Sequence, residues 1–303
     1  MKINDKWGFI DEEAKYVIKP QFDDGEDYRN RIIVNGTVAV CKDGKYGIIN
    51  DLGETIVPFK YERIFMQLND APDIYYFAKD DEGYEIFTTQ GIKITHRHYE
   101  EISFCEEGMA PYKENGKYGV IDLKTGQHVF DAIYDDVHSY GFGENKIMVQ
   151  KNGKWGCVDR HGNEVFGFYY DDVYGFSNGI ARVKKDDKWG LIKTNGLLLV
   201  DCKYSNVTYM GQDRLAGLRN EHGKWALVNL KGVIVTDFEY DDINYDCFKL
   251  GDFTARLVEK DGKKGFVDFK GKEIIPCLYH NEEIESMLYK YLKDNNINTI
   301  VSQ

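Results

Sequence analysis

One short segment of the 303-residue sequence carries a candidate set of metal ligands. It reads THRHYEE (95–101), and on a β-strand His96, His98 and Glu100 would share one face because side chains alternate. Two imidazoles and a carboxylate are ligands that zinc accepts. The alternative is that these are solvent-exposed side chains in a repeat whose sequence has diverged from the others. The sequence therefore predicts no metal site, and it leaves these three residues as the candidates if one exists.

Two kinds of charged residue recur along the chain. A lysine opens a short motif seven times, at Lys6, Lys45, Lys117, Lys154, Lys188, Lys224 and Lys263. Acidic pairs recur at Asp23-Asp24, Glu100-Glu101, Asp135-Asp136, Asp171-Asp172 and Asp241-Asp242. Such residues flank and cap tight turns, which is one explanation. The alternative is an acidic interface for a partner, formed by Asp135, Asp136, Asp171, Asp172, Asp241 and Asp242.

Sequence signatures of catalysis are absent. The chain has no P-loop, no HExxH, no nucleophile elbow and no GxGxxG after a strand. The six cysteines are far apart and form no CxxC pair, which predicts reduced, buried thiols rather than a zinc site or a disulfide framework. We therefore expect a protein that is not an enzyme and that holds no cofactor.

The charged motif belongs to an internal repeat of about 37 residues, within the range of repeat architectures. The anchor position follows an aromatic residue in seven copies. It is occupied by Gly8, Gly47, Glu85, Gly119, Gly156, Gly190, Ala226 and Gly265. The aromatic residues are Trp7, Tyr46, Tyr84, Tyr118, Trp155, Trp189 and Trp225. We predict that these rings pack each copy on the next, with the small anchor leaving room for a close approach. The alternative is that the rings are exposed and form a binding row.

Each copy reads as a meander of three or four short antiparallel strands. Apolar and polar residues alternate over four to seven positions, as in KWGLIK (188–193), which predicts strands. The turns KDGK (42–45), ENGK (114–117) and KNGK (151–154) carry Asp-Gly or Asn-Gly. These dipeptides favour tight hairpins because both residues accept positive φ.

Units of the form GKWGCVD (153–159) and GKYGVID (116–122) resemble the WG-repeat family of bacterial proteins. The resemblance extends from residue 4 to about residue 279, and the chain departs from the family pattern at Glu85, Ala226 and Lys264. It implies an all-β repeat array and supplies no family-wide catalytic residues.

We expect about eight β-meander units in a β-propeller-like ring, with an open solenoid or superhelical array as the alternative. The chain begins at a motif strand, and the sequence shows no strand before Lys6. The segment 281–296 predicts an amphipathic helix, capped by Asn281, that covers the end of the array. The alternative is that its apolar stripe binds a partner helix. The expected domains are the repeats (1–280) and the helix with its tail (281–303).

The net charge is −12, which disfavours nucleic acid and anionic membranes as partners. The chain shows no signal peptide and no apolar run long enough to span a membrane, so we expect a cytoplasmic protein. The leading hypothesis is an acidic, non-enzymatic scaffold for protein–protein interaction, whose partner carries a basic patch. A small-ligand or glycan-binding protein ranks second, and an enzyme with its site at a ring mouth ranks third.

Overall fold

The computed structural model describes residues 1–23, 33–67, 74–103, 107–250, 253–295 and 297, with the backbone alone at 139–141 and 246. Asp24, Cys105 and 298–303 lie outside the described residues. The chain forms two compact units, Met1–Ser139 and Tyr140–Gln303. The expected division at residue 280 stays a prediction.

The described part of the chain is all-β apart from one C-terminal helix. The described residues contain 28 strands in eight antiparallel sheets, and the strands of each sheet follow one another in chain order. We number the sheets as repeats 1 to 8. Repeats 1 to 4 consist of β1 (Lys2–Ile3), β2 (Lys6–Ile10) and β3 (Tyr16–Phe22); β4 (Thr37–Lys42), β5 (Lys45–Asn50) and β6 (Thr55–Tyr61); β7 (Arg63–Gln67), β8 (Tyr75–Asp80) and β9 (Gly83–Thr88); and β10 (Glu101–Ile102), β11 (Met109–Glu114), β12 (Lys117–Asp122) and β13 (His128–Tyr134).

The second four sheets repeat the same meander. Repeats 5 to 8 consist of β14 (Asp136–Gly143), β15 (Lys146–Lys151), β16 (Lys154–Asp159) and β17 (Glu164–Tyr170); β18 (Asp172–Val173), β19 (Ile180–Lys185), β20 (Lys188–Lys193) and β21 (Leu198–Tyr204); β22 (Asn206–Val207), β23 (Leu215–Arg219) and β24 (Trp225–Asn229); and β25 (Asp242–Leu250), β26 (Phe253–Lys260), β27 (Lys263–Val267) and β28 (Glu273–Tyr279). Each sheet contains one anchor residue, so the eight predicted copies are confirmed. Their closure into a ring stays a prediction.

The predicted hairpin turns are confirmed by their backbone angles. Asp43 and Gly44 have φ of 52° and 75°, and Asn152 and Gly153 have φ of 53° and 73°. The flanking residues pair directly across each turn, as Lys42 does with Lys45 and Lys151 with Lys154. This left-handed geometry matches the twist of the two strands.

The start of the chain differs from the expectation. A two-residue strand, β1, precedes the first motif strand and pairs with it through Lys2↔Trp7 and Ile3↔Lys6. The connecting residues Asn4 and Asp5 adopt positive φ, as in the other hairpins. The strand escaped sequence analysis because two residues are too short to show an alternating pattern.

The anchor residue controls the approach of the strand that follows the motif strand, which we call the closing strand. An added Cβ at Gly8 would lie 2.5 Å from the Ile18 carbonyl oxygen, and one at Gly190 would lie 2.6 Å from that of Val200. All six repeats anchored by glycine have a closing strand: β3, β6, β13, β17, β21 and β28.

Repeats 3 and 7, anchored by Glu85 and Ala226, show only isolated bridges at this place within the described residues. In both, a threonine hydroxyl accepts a motif-strand N–H. Thr95 accepts from Ile86 at 3.2 Å, and Thr236 accepts from Leu227 at 2.9 Å. A side chain at the anchor thus coincides with the loss of the regular closing strand.

The apolar core lies between successive sheets. One cluster joins Trp155 and Tyr170 of repeat 5 to Val173, Ala181 and Val183 of repeat 6. Equivalent clusters join repeat 2 to repeat 3 and repeat 7 to repeat 8. Within each compact unit, these copies therefore bury an apolar face against the next copy along the chain.

The predicted helix is present as α1 (Asn281–Asp294). Its N-cap is His280 rather than Asn281, because the Glu283 carboxylate accepts the His280 backbone N–H at 3.0 Å. Ile284, Leu288 and Leu292 are buried in a cluster with apolar residues of repeat 8. The stripe therefore packs on the protein's own last sheet.

Candidate functional site

The predicted metal candidates lie in the irregular segment after β9. This segment bends at His96 and Arg97 and is not a strand, so the expected alternation of side chains does not hold there. His96 is exposed, and Glu100 accepts the Gly116 N–H at 3.3 Å. The structure directs only His98 toward other ligand-type residues.

His98 lies between two carboxylates of the preceding hairpin. Its Nε2 atom is 3.4 Å from Asp80 Oδ1 and 3.4 Å from Glu85 Oε1, and its Nδ1 atom is 3.2 Å from the Glu82 carboxylate. Nε2 is buried and makes no hydrogen bond. Among the described residues, one group of potential metal ligands is present: Asp80, Glu85 and His98. Their ligand atoms all lie within 4.8 Å of one another.

The Glu85 side chain is only 4% exposed and is held by several donors. Tyr61 donates to Oε2 at 2.5 Å, and Lys93 donates to Oε1 at 2.8 Å. Burial raises the pKa of Glu85, but the hydrogen bonds from Lys93 and Tyr61 outweigh it, so this pKa is lowered overall. Glu85 is therefore a charged, buried carboxylate at a position that holds glycine or alanine in every other repeat.

Sequence reasoning missed Asp80 and Glu85 as partners of His98. Glu85 was identified only as a departure from the repeat. The sequence did contain a signal for such partners: a charged residue at a position where the backbone of another strand approaches closely. A charged side chain buried at such a position must find polar partners.

A second polar cluster lies next to this one, between Tyr99 of the third repeat and residues of the fourth repeat. The Tyr99 hydroxyl is 2.9 Å from His128 Nε2, and the Tyr112 hydroxyl is 3.0 Å from His128 Nδ1. The Tyr112 and His128 rings stack with centroids 4.5 Å apart. Burial raises the pKa of both tyrosines, which keeps them neutral as hydrogen-bonding groups.

The recurring lysines and acidic pairs do not form separate rows. In four repeats the motif lysine makes an ion pair with the first residue of the next acidic pair along the chain: Lys6 with Asp23, Lys117 with Asp135, Lys154 with Asp171, and Lys224 with Asp241.

The same aspartate also binds the next repeat. Asp171 Oδ2 accepts the N–H of Asp186 at 2.7 Å, and Asp241 Oδ2 accepts the N–H of Asp261 at 2.7 Å. Hydrogen bonding to Lys154 and to that turn lowers the pKa of Asp171. We call this arrangement the clamp, since one carboxylate ties its own motif strand to the hairpin of the following repeat.

The second acidic residue faces outward at the entry to the next sheet. Asp136 and Asp242 are exposed and Asp172 is half-buried. Asp136 and Asp172 each accept the N–H of the following valine, at 2.8 and 2.9 Å. Asn206 makes the same 2.8 Å bond in repeat 7, so a neutral side chain also satisfies this turn.

The recurring rings lie in the interior or at its margin. Tyr46, Trp155 and Trp225 are buried; Trp7, Tyr84, Tyr118 and Trp189 are half-buried. Large exposed side chains occur elsewhere, for example at Tyr169, Leu197 and Leu278.

Two arginines on the strands before the motif strands provide further contacts that the sequence did not reveal. Arg256 is fully buried and donates to Asp213 at 2.5 and 2.8 Å. Arg182 stacks between Tyr174 and Tyr209, with its guanidinium carbon 4.0 and 3.9 Å from their ring centroids. Both side chains join consecutive repeats of the second compact unit.

The five described cysteines are free thiols, and burial raises the pKa of Cys157 to about 12. A thiol with this pKa is a poor nucleophile at neutral pH. In the part of the chain that the structure describes, no helix is both long and apolar enough to cross a membrane.

Several solved structures match this chain at low sequence identity and low TM-score. A eukaryotic initiation factor is 13% identical, with 88% of this chain and 81% of that chain covered and a TM-score of 0.42. Hsv2p from Kluyveromyces lactis is 12% identical, with 68% and 74% covered and a TM-score of 0.34. BamB from Moraxella catarrhalis is 9% identical, with 74% and 76% covered and a TM-score of 0.30. No curated protein matches the sequence.

The sequence also matches a family model described as the WG containing repeat. The matched segments are 7–46, 46–66, 89–118, 118–155 and 155–189, which together span more than half of the chain. The meander, the motif strand and the anchor of each sheet agree with that assignment. The chain therefore belongs to the WG containing repeat family.

Proposed function

We propose that the protein is a non-enzymatic scaffold that binds a protein partner through acidic side chains at the sheet entries. The observation that carries this proposal is the position of Asp136, Asp172 and Asp242, each directly after an aspartate that pairs with a motif lysine. Asp136 and Asp242 are exposed and Asp172 is half-buried. One repeat position thus presents a carboxylate in several copies. The complementary partner is a protein with a basic patch rather than a nucleic acid, and the proposed setting is the cytoplasm.

The use of the other repeated residues supports this proposal. The motif lysines at positions 6, 117, 154 and 224 are each paired with a clamp aspartate. The recurring rings are buried or half-buried, so they pack the repeats and do not offer a row of exposed aromatic faces to a glycan. The net charge of −12 leaves an excess of carboxylates for attraction of a basic surface.

The test is capture of partners from a native extract at low ionic strength by the wild-type chain and by an Asp136→Asn/Asp172→Asn/Asp242→Asn variant. Asn206 makes the same turn bond, so the variant is expected to fold. We expect a stoichiometric basic protein that salt releases and that the variant retains at least tenfold less well.

A control variant removes three exposed carboxylates elsewhere, at Glu12, Glu221 and Glu285. It is expected to retain the partner, since the same net charge is left without changing the sheet entries. Equal loss of partner retention in both variants would mean that binding depends on net charge and not on the sheet entries. Catalytic turnover of a small molecule in a substrate screen would contradict the scaffold itself.

A further inference from the structure

The third repeat departs from the others at three positions that meet in space. Asp80 pairs with Gly83 at the end of its hairpin, where other repeats pair Lys42 with Lys45 or Lys151 with Lys154. Glu85 replaces the small anchor. His98 lies in the segment that elsewhere forms the closing strand. A drifted repeat would lose its pattern without bringing the new side chains together.

The geometry points to a binding site for one divalent transition-metal ion of the zinc class, with Asp80 Oδ1, Glu85 Oε1 and His98 Nε2 as its ligands. A tetrahedral ion at about 2.0–2.2 Å from its ligands separates them by about 3.3–3.6 Å. The imidazole nitrogen lies 3.4 Å from each of the two carboxylate oxygens. Two of the three spacings therefore match those of ligands around an ion, and all three ligand atoms lie within 4.8 Å of one another.

The buried Nε2 atom provides a second, independent indication. A buried nitrogen without a hydrogen bond is costly, and an ion bound there would satisfy it. The other ring nitrogen, Nδ1, lies 3.2 Å from the Glu82 carboxylate. A carboxylate behind the imidazole is the usual way to orient a metal-binding histidine.

The surrounding side chains hold the carboxylates in position. Lys60 donates to Asp80 Oδ2 at 2.9 Å, and Tyr61 donates to Glu85 Oε2 at 2.5 Å. Each carboxylate therefore has one oxygen held by these donors and the other facing His98. The facing oxygen of Asp80, Oδ1, also accepts the Glu82 N–H at 3.1 Å. Lys93 contacts Glu85 Oε1 at 2.8 Å with a side chain that is 46% exposed, so it can turn to solvent when an ion binds.

The ion has a structural role in this location. Repeat 3 has only the isolated bridges Tyr84↔Tyr99 and Phe87↔Lys93 in place of a closing strand. An ion held by Asp80 and Glu85 on the hairpin and by His98 on that segment would tie the two together. A nitrogen ligand and the short spacing favour zinc over calcium, which takes six to eight oxygen ligands.

The experiment is titration of the metal-free full-length chain, without an affinity tag, with Zn²⁺ against a chromophoric chelator, together with thermal unfolding. The wild type is expected to bind one ion at this site and to unfold at a higher temperature with Zn²⁺ than with Ca²⁺ or Mg²⁺. His98→Ala is expected to weaken this binding at least 100-fold and to abolish the thermal shift. His96→Ala, in the same segment but exposed, is expected to change the affinity less than threefold.

Two outcomes would overturn the site: absence of a zinc-dependent shift in the wild type, or equal weakening by His96→Ala and His98→Ala. Loss of the shift in His98→Ala alone would support it. A cobalt-substituted sample of the wild type gives an answer even if His98→Ala fails to fold. A tetrahedral cobalt spectrum without a thiolate charge-transfer band would support the Asp–Glu–His site, whereas a thiolate band would assign the ion to cysteines and contradict it.

Discussion

At the scale of the residue, a ring recurs next to the anchor in seven of the eight copies, where it is buried or half-buried. Trp155 is 8% exposed and packs with residues of both repeat 5 and repeat 6. Sequence reasoning could predict this role because a large aromatic residue recurring once per copy must be buried when copies stack. It could not predict that four of the seven rings are only half-buried, since that depends on neighbouring side chains.

Replacing Trp155 with alanine is expected to lower the free energy of unfolding by about 3–5 kcal/mol, through lost burial and a residual cavity. Denaturant unfolding followed by circular dichroism measures the change. Tyr169→Ala, which removes an exposed ring from the same repeat, is the control and should cost little. A similar, small cost for both variants would mean that the indole does not lock the repeats.

Acid sensitivity is expected to report on the buried Glu85. Its pKa is lower in the folded chain than the usual value of about 4.3, so the charged form stabilises the fold above that pH. This stabilisation is lost as the pH falls through the folded pKa. Glu85→Gln should therefore show a smaller loss of stability than the wild type between about pH 5 and pH 3.

The clamp aspartates respond in the same direction, because hydrogen bonds to Lys6, Lys154 and Lys224 lower the pKa values of Asp23, Asp171 and Asp241. Both the wild type and Glu85→Gln will therefore lose stability in acid. The test compares how much stability each chain loses, not whether it unfolds. Glu12→Gln, at an exposed position, serves as the control and should follow the wild type. Identical curves for all three chains would contradict the role of Glu85.

At the scale of the element, the anchor residue correlates with the presence of a regular closing strand. The six glycine anchors precede regular strands, whereas Glu85 and Ala226 precede segments with isolated bridges and a threonine hydroxyl bond. The sequence predicted the strands from alternation and the turns from Asp-Gly and Asn-Gly pairs. It could not predict the failures at repeats 3 and 7, because the apolar alternation continues there while the backbone contact is lost.

Gly190→Ala is expected to destabilise the chain and to speed amide exchange in β21, because the new Cβ would approach the Val200 carbonyl oxygen to 2.6 Å. Adding Val200→Thr places a hydroxyl where Thr95 and Thr236 lie in the exceptional repeats. The double variant should recover part of the lost stability, as measured by the denaturant midpoint. Ala226→Gly is the reverse change, and amide exchange in the neighbouring residues should be as slow as in the wild type or slower. Unchanged exchange in Gly190→Ala would show that the close approach does not matter.

At the scale of the whole molecule, eight copies of one meander account for nearly all of the strands. The repeat, its copy number and the terminal helix followed from the sequence because each is a periodic signal. The pairing of lysines with aspartates between elements, and the meeting of Asp80, Glu85 and His98, did not. These contacts join residues that lie many positions apart, and their geometry depends on how one repeat sits on the next.

The clamps also bear on the proposed function. Because the first aspartate binds within the fold at Asp171 and Asp241, the second aspartate is the part of the pair that the proposed partner would contact. If binding depends on the second aspartates, the two residues of each acidic pair have different roles: the first stabilises the fold and the second binds the partner.

The most direct test of the central claim, that one β-meander is copied eight times and locked to its neighbours, is hydrogen exchange resolved along the chain. The account predicts slow exchange in the eight motif strands, recurring about every 37 residues, with faster exchange after the motif strands of repeats 3 and 7 than in β21 or β28. Protection without this period, or equal protection of all eight closing segments, would contradict it.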